Sequence, residues 1–266
     1  MSKAPIESGP HPPQDAATGQ GGSLNSSHPN RTQIQLPTSL TLYKDSIVDK
    51  LSVHFMLSEY QLQPLYGVTF STMSRTVLHS TKSWKSSPLA TATTSGGSAS
   101  RRRFATIDIF LPPPPPPVTT HNTQAGAAPA PVELTHEAQS AGGFIHKTYQ
   151  FDIEVASSNS SGGHHYERFE WRHSKSAEVR ALGGEPQGWK LVRINGRVGG
   201  EVEGVAMSSD GKEVVAAWAR GVSATKIMCF QFIGGGIHDA AAGEHWTLVA
   251  VITALSLCNK EKGDVL

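Results

Sequence analysis

An apolar run near the C-terminus constrains the fold of this chain more than any other feature. From Glu244 to about Lys260 most side chains are apolar. Small polar residues interrupt the run at Thr247, Thr253 and Ser256. A helix made of this segment is apolar nearly all round, which requires burial on every side. At about 1.5 Å per residue it falls short of a ~30 Å membrane core, so the length favours a buried core helix over a membrane anchor.

Before this run, apolar residues recur with a period of two, which is typical of strands with one buried face. They are Leu51, Val53, Phe55 and Leu57; Tyr66, Val68 and Phe70; Ile107, Ile109 and Leu111; Phe151, Ile153 and Val155; Phe169 and Trp171; Trp189 and Leu191; Val214, Ala216 and Trp218; and Met228, Phe230 and Phe232. The pair Asp210-Gly211 before Val214 predicts a hairpin turn. Many short strands predict a mainly β sandwich or barrel.

Two stretches have compositions that disfavour a packed core. Residues 1–37 are rich in Gly, Pro, Ser, Gln and Asn and predict a disordered N-terminal tail. Residues 112–143 open with six prolines and predict a disordered proline-rich insertion. The insertion would interrupt a single domain, 38–266. Shorter polar patches at 93–100 and 157–165 predict loops.

Charge and cysteine content limit the partners and the compartment. Lys and Arg number 23 against 22 Asp and Glu, so the formal net charge is +1 and a nucleic-acid partner is not expected. The first 37 residues contain no apolar run behind a basic flank, which predicts an intracellular, cytoplasmic protein. Cys229 and Cys258 have apolar neighbours, which indicates reduced structural thiols. We expect a monomer.

The order of these elements resembles that of the tubby-like superfamily, which includes tubby C-terminal domains, plant LURP-one-related proteins and phospholipid scramblases. The shared layout is two runs of strands split by an insertion and followed by one all-apolar helix. The segments 169–174 (FEWRHS), 188–193 (GWKLVR) and 211–216 (GKEVVA) are also similar to those of uncharacterised proteins from filamentous fungi. The resemblance covers the chain from about Leu40 onward, without the proline insertion.

The resemblance implies a closed antiparallel β-barrel of about twelve strands around a buried C-terminal hydrophobic helix. It also implies a non-enzymatic binding or scaffold module. Relatives of the tubby type are associated with phosphoinositide head groups, so an anionic phospholipid or membrane surface is the implied partner. No stretch of this chain aligns residue by residue with that lipid site, and no binding residue is carried over.

One basic cluster is a candidate phospholipid-binding site. Its members are Arg168, Arg172, Lys175, Lys190 and Arg193. Guanidinium groups suit phosphate because their planar fork donates two parallel hydrogen bonds. On a strand, Arg168 and Arg172 would lie on the face opposite Phe169 and Trp171. The alternative is an ordinary charged exterior neutralised by acidic neighbours, namely Glu167, Glu170 and Glu178.

The proline run offers a second hypothesis. Its residues are Pro112, Pro113, Pro114, Pro115, Pro116 and Pro117. A preformed polyproline II string can dock in the aromatic groove of an SH3, WW or profilin-type protein at low entropic cost. The chain would then be a protein-interaction adaptor. The same composition also suits a stiff spacer, and the sequence does not separate the two.

Signals for catalysis or a cofactor are missing from the sequence. It contains no nucleophile elbow, no paired-carboxylate motif and no Cys-His arrangement in a supporting context. The glycine run at Gly234 lacks the Lys-Ser/Thr of a phosphate-binding loop. The histidines lack the spacing typical of zinc ligands. We therefore expect no enzymatic activity, no cofactor and no metal.

Overall fold

The structure is a computed structural model that describes residues 36–48, 52–71, 74–95, 106–112, 134–141, 148–156, 164–195, 206–234 and 243–263. Nearly all of the predicted tail, 1–37, and most of the predicted insertion lie outside these residues. The strands are β1 (Ser39–Val48), β2 (Ser52–Ser58), β3 (Tyr66–Ser71), β4 (Arg75–His79), β5 (Pro88–Ser95), β6 (Thr106–Leu111), β7 (Leu134–Ala141), β8 (Thr148–Ala156), β9 (His164–Ser174), β10 (Gly188–Arg193), β11 (Glu213–Arg220) and β12 (Lys226–Phe232). The helices are α1 (Ala177–Arg180) and α2 (Gly243–Gly263).

Strands that follow one another in the sequence pair antiparallel, from β2 through to β12. β1 pairs with β12 on one side, where Leu40 lies opposite Phe230. On its other side β1 pairs with β2, where Leu42 lies opposite Leu57. The prediction of a mainly β fold with a C-terminal helix is therefore confirmed.

Successive residues of a strand point to opposite sides of the sheet, and the apolar residues of most strands lie on the side that faces the core. In β6, Ile107, Ile109 and Leu111 are buried, whereas the residues between them are only half-buried. β11 departs from this pattern, because every residue from Val214 to Ala219 is buried. Its outer side is covered by α1, whose Val179 packs with Ala217 and Ala219. A four-residue helix thus gives one strand two buried faces.

Helix α2 begins one residue before the predicted start and is buried as predicted. Every side chain from Trp246 to Cys258 is buried, and most belong to the main core cluster. The Trp246 ring stacks on Phe169, with 4.7 Å between centroids. Of the helices that the structure describes, none is long and apolar enough to cross a membrane.

Polar residues that interrupt the apolar run of α2 have hydrogen-bond partners. The Thr253 hydroxyl donates to the backbone of its own helix, at 2.8 Å from the Val249 carbonyl oxygen. Thr253 Oγ1 also accepts from Trp171 Nε1 of β9, at 2.9 Å. Ser256 Oγ donates to the Ile252 carbonyl at 2.8 Å. Because each buried hydroxyl is paired, the helix carries them into an apolar core at little cost.

Three loop predictions were wrong in part. The predicted insertion extended to 143, but β7 occupies Leu134–Ala141 and pairs with β6 from Leu111 opposite Leu134 to Thr106 opposite Gln139. Likewise β5 continues through Ser95, and β9 already begins at His164. The side chains of these segments are mostly polar or small, so their composition resembles that of loops. Backbone pairing with neighbouring strands makes them strands.

A charge placed within α2 should prevent folding. Val251 is 1% exposed and Leu255 is fully buried, so Val251→Asp or Leu255→Asp would bury an unpaired carboxylate. We expect a loss of several kcal/mol, comparable with the whole stability of about 5–15 kcal/mol typical of a domain. Thermal unfolding followed by circular dichroism measures it. His245→Asp, at an exposed position of the same helix, should leave the melting temperature nearly unchanged.

Thr253 should contribute more to stability than Ser256. Thr253→Val keeps the side-chain shape but leaves the Trp171 N–H buried without an acceptor, which costs about 1–3 kcal/mol. Ser256→Ala removes a hydroxyl that bonds only to its own helix, and we expect a smaller loss. Urea unfolding of both variants tests the order. Equal midpoints would show that the Trp171 bond contributes nothing specific.

Candidate anion-binding surface

Part of the predicted basic cluster lies together on the outer side of β9 and β10. Phe169 and Trp171 are buried in the core, and Arg168 and Arg172 lie on the opposite side of β9, as predicted. Lys190 of β10 lies directly across from Arg172 in the register. The structure therefore brings Arg172 and Lys190 next to each other, with Arg168 further along the same strand.

Acidic neighbours neutralise the two arginines. Arg168 makes a bidentate pair with Asp152 of β8, at 2.8 and 3.0 Å. Arg172 binds Glu170 on its own strand and, at 2.8 Å, Asp210 from the turn before β11. The Glu170 carboxylate also accepts a hydrogen bond from Gln150. The alternative interpretation, a charged exterior with its own counterions, therefore describes both side chains.

Arg193 was predicted to belong to this cluster, but it lies on the other side of the sheet. It shares the core-facing side of β10 with Trp189 and Leu191, because alternate residues share a face. Its guanidinium contacts Glu167 at 3.1 Å and Glu213 at 3.2 Å. It also lies 5.7 Å from the centroid of the Phe169 ring. Counting by twos from Trp189 in the sequence would have found this placement.

Asp210 has an unusually acidic carboxyl group. Hydrogen bonds from the Ser208 hydroxyl and from Arg172 hold the pKa of Asp210 at about 2, below its ordinary 3.8. Gly211, which follows it, has a positive φ of 72°, and its N–H donates to the Ser208 carbonyl. The predicted Asp210-Gly211 turn is confirmed, and it also places the Asp210 carboxylate within hydrogen-bond distance of Arg172.

The remaining predicted cations differ from the arginines. Lys175 is exposed in the connection between β9 and α1, and Lys190 is half-buried. Within the described part of the chain, neither forms an ion pair. The Glu178 carboxylate lies near enough to Lys190 to interact with its charge. With the charges of Arg168 and Arg172 compensated as well, the cluster makes a weaker anion site than the sequence predicted.

A second group of cations, which the sequence analysis missed, lies where β11 ends, β12 begins and the pairing of β1 with β12 stops. We call this sheet edge the basal edge; it lies at the C-terminal end of α2, where Trp189 Nε1 donates to Glu261 at 2.6 Å. Its cations are Lys44, Arg220 and Lys226. Lys44 and Lys226 are exposed and Arg220 is half-buried.

The register shows that these three residues are neighbours. The Lys44 N–H donates to the carbonyl of Thr225, the residue before Lys226, at 2.8 Å. Arg220 lies opposite Met228 across the β11–β12 hairpin. None of the three forms an ion pair with any residue that the structure describes. Three adjacent strands therefore place three positive charges without a close ion pair among the described residues at one edge, where Glu185 and Asp45 are the nearby carboxylates in the chain.

Gly221 keeps this hairpin tight. A Cβ at this position would lie 2.1 Å from the Lys226 carbonyl oxygen, so only glycine allows the chain to turn back directly after Arg220. The Gly221 N–H donates to the Ile227 carbonyl at 3.0 Å. The turn fixes the spacing between Arg220 and Lys226. A glycine between two cationic residues is the sequence signal that was available for this site.

The proline run is described only at its first residue. Pro112 is exposed and lines an open groove on the outer side of the sheet, together with Arg75, Phe110 and three other residues. The residues Pro113, Pro114, Pro115, Pro116 and Pro117 lie outside the described residues. The adaptor hypothesis therefore stays a prediction.

Cysteine and metal chemistry have little support at this surface. Cys229 and Cys258 are both buried and not disulfide-bonded, and burial raises the pKa of the Cys229 thiol. Among the described residues, no group of three His, Cys, Asp or Glu side chains could hold a metal ion.

Comparison with known proteins gives no identification: no family model, no curated protein and no solved structure matches this chain. The tubby-like resemblance therefore stays a prediction from the order of elements. What the chain binds has to be argued from its own charges.

The Asp210 contact should make stability depend on pH in the acid range. A carboxyl group whose pKa is depressed in the folded state stabilises that state above its unfolded pKa. We therefore expect the contribution at full strength above about pH 4 and lost as the pH falls towards 2. Urea unfolding across this range, for the native chain and for Asp210→Asn, measures it. Parallel acid profiles for the two proteins would contradict the assignment.

Proposed function

We propose that this chain is a non-enzymatic binding module of tubby-like type that docks on anionic phospholipid head groups at a membrane surface. The observation that carries the proposal is the group of three cations at the basal edge, which have no ion pair among the described residues. The arginines on β9 do not carry it, because carboxylates neutralise them.

A closed barrel around α2 is the architecture that we propose for the module. Its support is the pairing of β1 with both β2 and β12. A second support is the helix itself, which is buried all round. Closure would remove sheet edges and give the helix a continuous apolar lining. Such a barrel is rigid, so charges at its basal edge would keep their spacing without a bound ligand.

The electrostatic magnitudes suit a peripheral contact. Each Lys or Arg near an anionic leaflet contributes about 1 kcal/mol. Three such residues therefore contribute about 3 kcal/mol, or roughly a hundredfold in affinity. The attraction weakens within a Debye length, so binding should fall steeply with salt. Lys175, which is exposed in the β9–α1 connection at the same end of the sheet, would add to the attraction.

Flotation with lipid vesicles tests the proposal. The full chain is mixed with neutral phosphatidylcholine vesicles or with vesicles that also contain phosphoinositide, at low and high salt. We expect flotation with the anionic vesicles at low salt only. The variant Lys44→Gln, Arg220→Gln, Lys226→Gln should lose binding by tenfold or more, since it removes about 3 kcal/mol of attraction.

A matched variant distinguishes specific binding through the basal edge from attraction due to the net charge of the protein. Lys82→Gln, Lys85→Gln, Lys212→Gln also removes three charges, from residues away from the basal edge, and should float like the native chain. An equal loss in both variants would mean non-specific attraction. Failure of the native chain to float at low salt would overturn the proposed function.

A further inference from the structure

A buried chain of polar side chains crosses the outer face of β2, β3 and β4. His54 is 6% exposed and His79 is 7% exposed, and Thr69 lies between them. His54 Nδ1 is 3.1 Å from Thr69 Oγ1, which is 3.0 Å from His79 Nε2. The other ring nitrogen, His79 Nδ1, is 3.1 Å from the Ser86 carbonyl oxygen.

The hydrogen-bond partners determine where each proton lies. A carbonyl oxygen only accepts, so His79 Nδ1 must carry a hydrogen to bond Ser86. In neutral His79, Nε2 is then the acceptor and receives the Thr69 hydroxyl proton. With its proton directed to His79, Thr69 accepts from His54 Nδ1. Every bond in the chain runs one way, from His54 to Thr69 to His79 to Ser86.

The loop that closes over this chain joins β4 to β5 at residues 80–87. It is tied to β3 by the Gly67 N–H, which donates to the Thr81 carbonyl at 2.7 Å. The Trp84 ring stacks on His54, with 5.0 Å between centroids. Gly67 allows the close approach, because a Cβ there would lie 3.0 Å from the Lys82 carbonyl oxygen.

The charges around His79 disfavour a protonated imidazole. From β2 it faces His54, and the covering loop carries Lys82 and Lys85, with Lys85 Nζ 5.0 Å from the centroid of the Trp84 ring. β4 itself carries Arg75. The strands β2, β3, β4 and β5 and the loop 80–87 contain no Asp or Glu, and the carboxylate between β2 and β3, Glu59, is exposed to solvent. Burial lowers the pKa of His79, and the nearby His54 lowers it further, against the opposing effect of the Ser86 carbonyl.

We propose that the loop 80–87 is a pH-sensitive latch that closes over neutral His79 and opens when His79 takes up a proton. Protonation puts a hydrogen on Nε2, so Thr69 Oγ1 has to accept from His79 as well as from His54, and the Thr69 hydrogen loses His79 as its acceptor. A cation is also left buried with no carboxylate in the strands and loop that surround it. Opening the loop lets water reach the ring, because the loop supplies the Ser86 contact over it.

The direction of the pH effect follows from linkage. His79 binds its proton more weakly when the latch is closed than when it is open or unfolded. The closed state is therefore fully favoured above the ordinary histidine value of 6.5, and it loses stability as the pH falls below that value. Opening of the latch in mildly acidic solution would expose the buried rings of His54 and His79 and separate Trp84 from His54.

The tautomer of His79 in the native protein tests the hydrogen-bond pattern of the closed loop. Long-range proton–nitrogen NMR spectra distinguish hydrogen on Nδ1 from hydrogen on Nε2. At neutral pH we expect His79 to carry its hydrogen on Nδ1. Hydrogen on Nε2 would overturn the proposal, because the bond to Ser86 would then be absent.

Hydrogen exchange tests the opening. Protection factors, which remove the intrinsic pH dependence of exchange, are followed for the Gly67 and Ser80 amides in the full chain. We expect them to fall while His79 titrates, because the open state binds the proton more tightly than the closed state does. Constant protection through the His79 titration would overturn the latch.

Variants separate the latch from a merely structural contact. His79→Gln should abolish the pH dependence of loop protection, whereas His173→Gln, at an exposed position of β9, should keep it. Thr69→Val should open the loop at every pH, and Thr69→Ser should restore both closure and pH dependence. Gly67→Ala is a further control, since its Cβ would press on the Lys82 carbonyl of the loop at 3.0 Å and should reduce protection at every pH. Retained pH dependence in His79→Gln would overturn the proposal.

Discussion

The structure depends on the burial of a helix that has no polar face. A helix of this kind is stable in water only if apolar side chains surround it, and the sheet supplies them. Trp246 packs on Phe169 of β9 and Phe232 of β12, while Thr253 receives the Trp171 indole hydrogen. Single contacts of this kind fix the rotation of the helix, which apolar burial by itself would leave undefined.

The core-facing residues of the strands have to pack around α2, so only the residues on the outer side are free to serve a function. On β9 the outer residues Arg168, Glu170 and Arg172 are locked in ion pairs with β8 and the turn before β11. On β2 to β4 they form a histidine and threonine chain under a loop. At the basal edge, Lys44 lies one residue past the last β1 residue that pairs with β12, and Lys226 is the β12 residue of that last pair. Each surface has a different chemistry on the same scaffold.

Elements with a strong periodic signal could be predicted from the sequence. The period of two in Ile107, Ile109 and Leu111 and the unbroken apolar run of α2 both report burial directly. β7 could not be predicted, because its pairing is a backbone property and its sequence, LTHEAQSA, has no alternating apolar face. The ion pair that compensates the charge of Arg172 could not be predicted either, since its partner Asp210 is 38 residues away in the sequence. When a charge cluster is inferred from one strand of the sequence, counterions that distant segments place beside it in the folded protein are missed.

The position of α2 in the chain has a consequence for how the protein is made. The described strands all precede the helix that fills their core, so during synthesis they emerge first, with their apolar sides still uncovered. Pairing such as that of Leu40 with Phe230 also joins residues far apart in sequence, and contacts of this kind form slowly. A nascent sheet in this condition exposes apolar surface and unpaired strand edges. Aggregation would therefore compete with folding until the helix is synthesised and covers this surface.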